Sequence, residues 1–259
     1  VITPGGQPFL LPGGPFGCLL IHSFASSPQE LRWLGTQLNQ NGFTVLAIRL
    51  SGHATNYKDL RRTRYSDWIA SMEDGLNLLQ KQCDKLFVVG ASLGSALALI
   101  AGAKHPVDAL VAISPPYNLK NYVKGLGLNL PNPILKILKL GKRSFRPSST
   151  SPVLLSPDER YDLLYPSIPN RVFSEIDQML TEMIRVLPNV DVPSLIIHTD
   201  AENEPQRMGA TQILDDLNTK RVKILRISRS GDRTTLPLER ERLTRAITSF
   251  VTKLPGFQQ

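Results

Sequence analysis

One apolar run ends in glycine and restarts as a run of Ala and Leu, and it constrains this chain more than any other stretch. It reads Leu86-Phe87-Val88-Val89-Gly90-Ala91-Ser92-Leu93-Gly94-Ser95-Ala96-Leu97-Ala98-Leu99-Ile100. The first half is partly β-branched and lacks polar alternation, which predicts a strand buried on both faces. The second half predicts a buried helix. Between them Gly90 and Gly94 flank Ser92 in a G-x-S-x-G pattern. Set between strand and helix, that pattern predicts a nucleophile elbow, a strained turn that raises the serine hydroxyl above the sheet edge. The two glycines let neighbouring backbone pass where a Cβ would clash. The following helix directs free N–H groups at the site, and the N–H of Leu93 suits an oxyanion. The plain alternative is a helix that merely begins with Gly and Ser.

The flanking sequence repeats the strand–helix alternation. Gly17 to Ile21 predicts a strand, and Pro28 to Asn41 a helix with Leu31, Leu34 and Leu38 on one face, closed by Gly42. Phe43 to Leu50 predicts a strand, Tyr65 to Gln82 an amphipathic helix, and Ala109 to Ser114 the next strand. This order implies an α/β fold, a mostly parallel central sheet flanked by helices with right-handed crossovers. His22, Ser51 and Ser92 each follow a strand, so they fall along the carboxyl edge, where such sheets bind ligands. Ser194 to His198 and Val222 to Ile227 predict two further strands, with helices to Leu217 and from Leu236 to Leu254.

From Pro115 to Pro193 the alternation stops and prolines recur. The segment is too long for a structureless loop in a compact domain. Residues 115–193 are therefore expected to form a cap, or lid, inserted after the fourth parallel strand, over a core of 1–114 and 194–259. Within it Lys136 and Lys139 interleave with Ile134, Leu135, Ile137, Leu138 and Leu140, and Lys142 and Arg143 follow. That pattern suits a lipid interface, and equally a helix that buries its leucines while its lysines snorkel to water.

The length of 259 residues fits one domain with such an insertion. A net charge of +8 favours anionic surfaces, but no zinc finger, helix-turn-helix or RNP-type motif accompanies it, so no nucleic acid partner is expected. Peripheral contact with an anionic membrane stays open beside the plainer reading of a solvated basic surface. The two cysteines, Cys18 and Cys83, form no disulfide framework and no metal-ligand pattern, so neither a cofactor nor a metal is implied. The first residues lack the basic and apolar segments of a signal peptide, and no apolar stretch is long enough to span a bilayer, which predicts a cytoplasmic protein.

Five stretches taken together resemble the bacterial carboxylesterase and monoacylglycerol lipase branch of the α/β-hydrolase superfamily. They are Leu20-Ile21-His22-Ser23-Phe24, Arg49-Leu50-Ser51-Gly52-His53, the Gly90–Gly94 elbow, His198 to Pro205, and Ser230-Gly231-Asp232. The resemblance runs through nearly the whole chain in the family's order. It implies Ser92 as nucleophile, the N–H groups of Phe24 and Leu93 as oxyanion hole, and an acid after the strand ending at His198. Asp200 is the first choice for that acid, with Glu202 in reserve. It also implies a small-molecule ester or acyl ligand as partner.

Two departures matter. The family has His-Gly where this chain has His22-Ser23, so a side chain is expected to narrow the oxyanion hole or meet a backbone conformation that only glycine adopts. The family's last loop reads Ser-Gly-His, and Asp232 stands where the histidine would be. An imidazole of pKa about 6.5 takes the serine proton and returns it to the leaving group, whereas a carboxylate of pKa about 3.9 is a far weaker base. Loss of a triad histidine lowers turnover on the order of a millionfold in a well-studied serine protease. His198 and His53 are the reserve bases. His22 is expected to brace the oxyanion loop, and His105 to end a helix. Two functions follow: a serine ester hydrolase with a degraded triad and weak or absent activity, or a non-catalytic binder of an acyl or other apolar ligand.

Overall fold

The computed structural model describes residues 1–125, 144–145, 165, 167–199, 204–217, 219, 221–227 and 236–256. Among them, strands β1 (Phe9–Leu11), β2 (Phe16–Ile21), β3 (Thr44–Ile48), β4 (Lys85–Ala91), β5 (Ala109–Ile113), β8 (Ser194–Thr199) and β9 (Val222–Ile227) form one sheet. Its order is β1-β3-β2-β4-β5-β8-β9, parallel throughout except for β1, which pairs antiparallel with β3 at the edge. The mostly parallel sheet predicted from the alternation is present. The short β1 was not predicted, because three residues carry too little pattern to read.

Side chains along the strands alternate between two cores. Leu19, Ile21, Leu46, Ile48, Val88, Leu110 and Ile196 face one, and Cys18, Leu20, Val45, Phe87, Val89, Val111 and Ile197 the other. A sheet buried on both faces needs helices on both. Helices α1 (Arg32–Gln40) and α8 (Leu236–Thr252) cover the second face. The first is covered by α3 (Tyr65–Gln80), α4 (Leu93–Lys104), α6 (Asn170–Val186) and α7 (Glu204–Asp216). Two shorter helices, α2 (Tyr57–Arg62) and α5 (Leu119–Gly125), follow β3 and β5.

Helix α4 is buried from Leu93 to Gly102, with the sheet beneath it and α6 above. Its apolar composition all round, read in the sequence as burial, matches that position. Gly42 closes α1 at φ 86°, the left-handed conformation expected of it.

Much of the expected cap, 126–143 and 146–164 with the basic Lys136–Arg143 stretch, lies outside the described residues. Two-residue strands β6 (Ser144–Phe145) and β7 (Ile168–Pro169) pair antiparallel there. Helix α6 buries Val172, Phe173, Ile176, Met179, Leu180 and Met183 in the core it shares with α4, against which it packs. Prolines read as signs of irregular chain bound this helix instead, Pro169 preceding it and Pro188 following it.

Candidate active site

Ser92 joins β4 to α4 with φ 49° and ψ −116°, left-handed backbone that a residue with a Cβ rarely adopts. Such strain costs on the order of 1–3 kcal/mol and persists where the surroundings fix it. Here they do. The N–H of Ser92 donates to Ile113 O at 2.8 Å, and its carbonyl accepts from the N–H of Ser95 at 3.0 Å and from the Ser95 hydroxyl. A Cβ on Gly90 would lie 2.1 Å from Gly94 O, and one on Gly94 2.3 Å from Ile21 O. Both glycines are therefore required by close backbone approach, as the pattern predicted. The Ser92 side chain is half-buried, and Leu93 opens α4 with an N–H that has no carbonyl partner within the helix.

The approach at Gly94 brings the loop after β2 against the elbow. His22 of that loop accepts at Nε2 from the N–H of Leu50, just after β3, at 3.2 Å, which leaves the ring proton on Nδ1, 2.7 Å from Ser23 O. His22 thus braces the loop through backbone, as expected. Burial first, and the nearby His53 second, lower its pKa to about 3, so the ring is neutral. Phe24 follows, its ring edge-on to His53 at 5.3 Å and to Trp68 at 6.2 Å, and Ala25 turns the chain at φ 57°.

Ser23 does not behave as the sequence suggested. It is absent from the described positions of positive φ, so no glycine-only conformation is demanded of it. Its hydroxyl turns away into the body of the protein, donating to Glu30 Oε1 at 2.8 Å, while its N–H donates to Glu30 Oε2 at 2.7 Å. A longer contact, 3.4 Å from Ser23 Oγ to Ala91 O, ties the loop to the residue before Ser92.

His53 is fully buried, with Nδ1 3.1 Å from Ser51 O and its ring packed on Trp68 and His22. Burial lowers its pKa to about 4. His105 sits at the far end of α4, its Nε2 3.3 Å from Glu73 Oε1. His198 is half-buried near the carboxyl end of β8, in register with Arg226 of β9. Asp200, Glu202 and Asp232 lie outside the described residues.

Residues 17–229 match the family model described as "Serine aminopeptidase, S33". The chain belongs to this family. Among curated relatives, a thermostable monoacylglycerol lipase of Bacillus sp. (strain H-257) is 27% identical, the alignment covering 98% of each chain. A carboxylesterase of Bacillus subtilis (strain 168) is 22% identical, again over 98% of both. A solved structure described with LipS and LipT, two metagenome-derived lipolytic enzymes, superposes with a TM-score of 0.81 at 23% identity. It covers 98% of this chain and 100% of its own. The fold is that of the α/β-hydrolases, and these relatives are named for esterase and lipase activities.

In this family member the structure joins Ser92, Leu93 and the loop carrying Phe24. Glu30 was missed. Its signal in the sequence was slight: a carboxylate at the face of a helix start, seven residues beyond the one position where a hydroxyl replaces glycine.

Proposed function

We propose that the chain is a carboxylic ester hydrolase of the carboxylesterase or monoacylglycerol lipase type, slow because Asp232 holds the position of the base. Ser92 Oγ attacks the acyl carbonyl, and the N–H groups of Phe24 and Leu93 receive the developing oxyanion. The acyl group passes to Ser92, the alcohol leaves, and water then releases the acid. Asp200 is the acid of the triad. A carboxylate in the place of the base lacks the two-ended proton relay of an imidazole. Ser92 held in left-handed backbone at the start of α4 carries this reading. The chain-long similarity to lipolytic enzymes supports it.

A second reading, a non-catalytic binder of an acyl ligand, is favoured by one observation. Of the four histidines, His22 and His53 are buried among backbone partners and aromatic rings, and His105 sits at the far end of α4. A fluorophosphonate decides between them. Its phosphorus forms a bond to Ser92 Oγ as fluoride leaves and the serine proton is lost. Slow labelling, mapped to the Ser92 peptide and abolished by Ser92→Ala, is the expected result. A folded protein left unlabelled after prolonged exposure would favour the binder.

A further inference from the structure

Glu30 is 2% exposed, in the 3-10 turn Pro28–Leu31 that precedes α1. Its polar neighbours include Ser23, Ser26 and Tyr122, and no cation pairs with it among the described residues. A carboxyl buried without a cation carries a desolvation cost that its hydrogen bonds must offset. Burial alone therefore gives no reason for this group. The placement of its bonds gives one.

Both carboxylate oxygens meet the same residue, Oε2 taking the Ser23 N–H at 2.7 Å and Oε1 the Ser23 hydroxyl at 2.8 Å. On the other side of Ser23, His22 Nδ1 holds the Ser23 carbonyl at 2.7 Å. The two peptide planes that meet at Ser23 are thus fixed, one by Glu30 and one by His22. The second plane contains the N–H of Phe24, and because the peptide is planar and trans, that N–H points opposite to the carbonyl held by His22. Fixing φ and ψ at Ser23 fixes where the Phe24 N–H points.

We propose that Glu30 is a positioning residue, a buried carboxyl that clamps Ser23 and so aims the Phe24 N–H at the site above Ser92. The clamp stands on the hydrogen bonds alone; its effect on turnover rests on the ester-hydrolase reading. Ser23 is then half of the clamp, its hydroxyl donating to Oε1.

Glu30→Met keeps the volume and removes both bonds, while Glu30→Gln keeps both, its carbonyl accepting the Ser23 N–H and its amide donating to Ser23 Oγ. Hydrogen exchange at the Ser23 amide, thermal unfolding, and kcat and KM for a short p-nitrophenyl ester are measured on the full chain. In Glu30→Met the Ser23 amide should exchange about tenfold faster or more, with β2 and β4 amides changed less and the unfolding midpoint lowered, since the buried Ser23 N–H and hydroxyl lose their acceptor. The kcat should fall about tenfold with KM unchanged, and Glu30→Gln should restore both readouts to within about twofold. Unchanged Ser23 exchange in Glu30→Met, protection lost throughout β2 and β4, or failure of Gln to restore it would each overturn the clamp. Where the parent turns over no ester, the exchange pattern alone decides the clamp, and the ester-hydrolase reading falls separately.

Discussion

Ser23 and the buried histidines show how a side chain's surroundings decide its part. Serine in place of glycine reads from sequence as damage to the oxyanion loop, because only the missing freedom of backbone is visible there. The structure supplies Glu30 as the partner that absorbs the hydroxyl. His22 and His53 carry a linked consequence for pH. Burial holds their pKa values at about 3 and about 4 against 6.5 when unfolded. Both are depressed, so the stability they permit is complete above pH 6.5 and is lost as pH falls toward those folded values, since the unfolded chain takes up protons first. Each ring should add about 1.4 kcal/mol per pH unit to the loss of unfolding free energy in that window. Urea titrations at pH 6 and pH 5 should therefore show a gentler slope in His53→Gln than in the parent. Glu30, whose pKa burial raises, acts in the opposite sense but equally in both proteins. Equal slopes would mean that His53 is not held neutral.

Among the elements, α4 and α6 are joined at their surface edge by Glu182, which pairs with Lys104 of α4 and with Arg185 at 2.7 Å. Hydrogen bonds from Arg185 and then Lys104 lower the Glu182 pKa from 4.5 to about 2. This depressed carboxylate contributes stability above pH 4.5 that disappears as pH falls through about 2. Glu182→Gln should accordingly lower the denaturation midpoint at pH 7 and match the parent near pH 2; an equal deficit at both would assign the loss to packing. The strand–helix alternation that frames these elements was legible because each strand is an unbroken apolar run and each flanking helix keeps a polar face. Helix α6 was not legible as part of the core. Its sequence is strongly two-faced, yet it follows a long proline-bearing stretch, and only the packing of Phe173, Ile176 and Met179 against α4 reveals its layer. The elbow was legible because steric demand is written in residue type, with glycine at both points of close approach. Glu30 was not, because its partner is chosen by the fold of the 3-10 turn.

For the whole molecule, the family, the fold and the strained serine point one way, and the last loop points another. On the proposed function Ser92 is the nucleophile, and Asp232 takes the place of the base. Ser23 needs no reversion to test it, because the hydroxyl is already turned into Glu30. Turnover of a short p-nitrophenyl ester is measured across pH for the parent, Asp232→His, and Asp232→His with Ser92→Ala. The parent should be slow, with a shallow dependence on pH. Asp232→His should gain orders of magnitude and a limb between about pH 6 and 7, where an imidazole titrates. Adding Ser92→Ala should erase the gain, since nucleophile and base act as one unit. A folded Asp232→His that stays as slow as the parent, or a parent that already turns over the ester rapidly, would contradict the account.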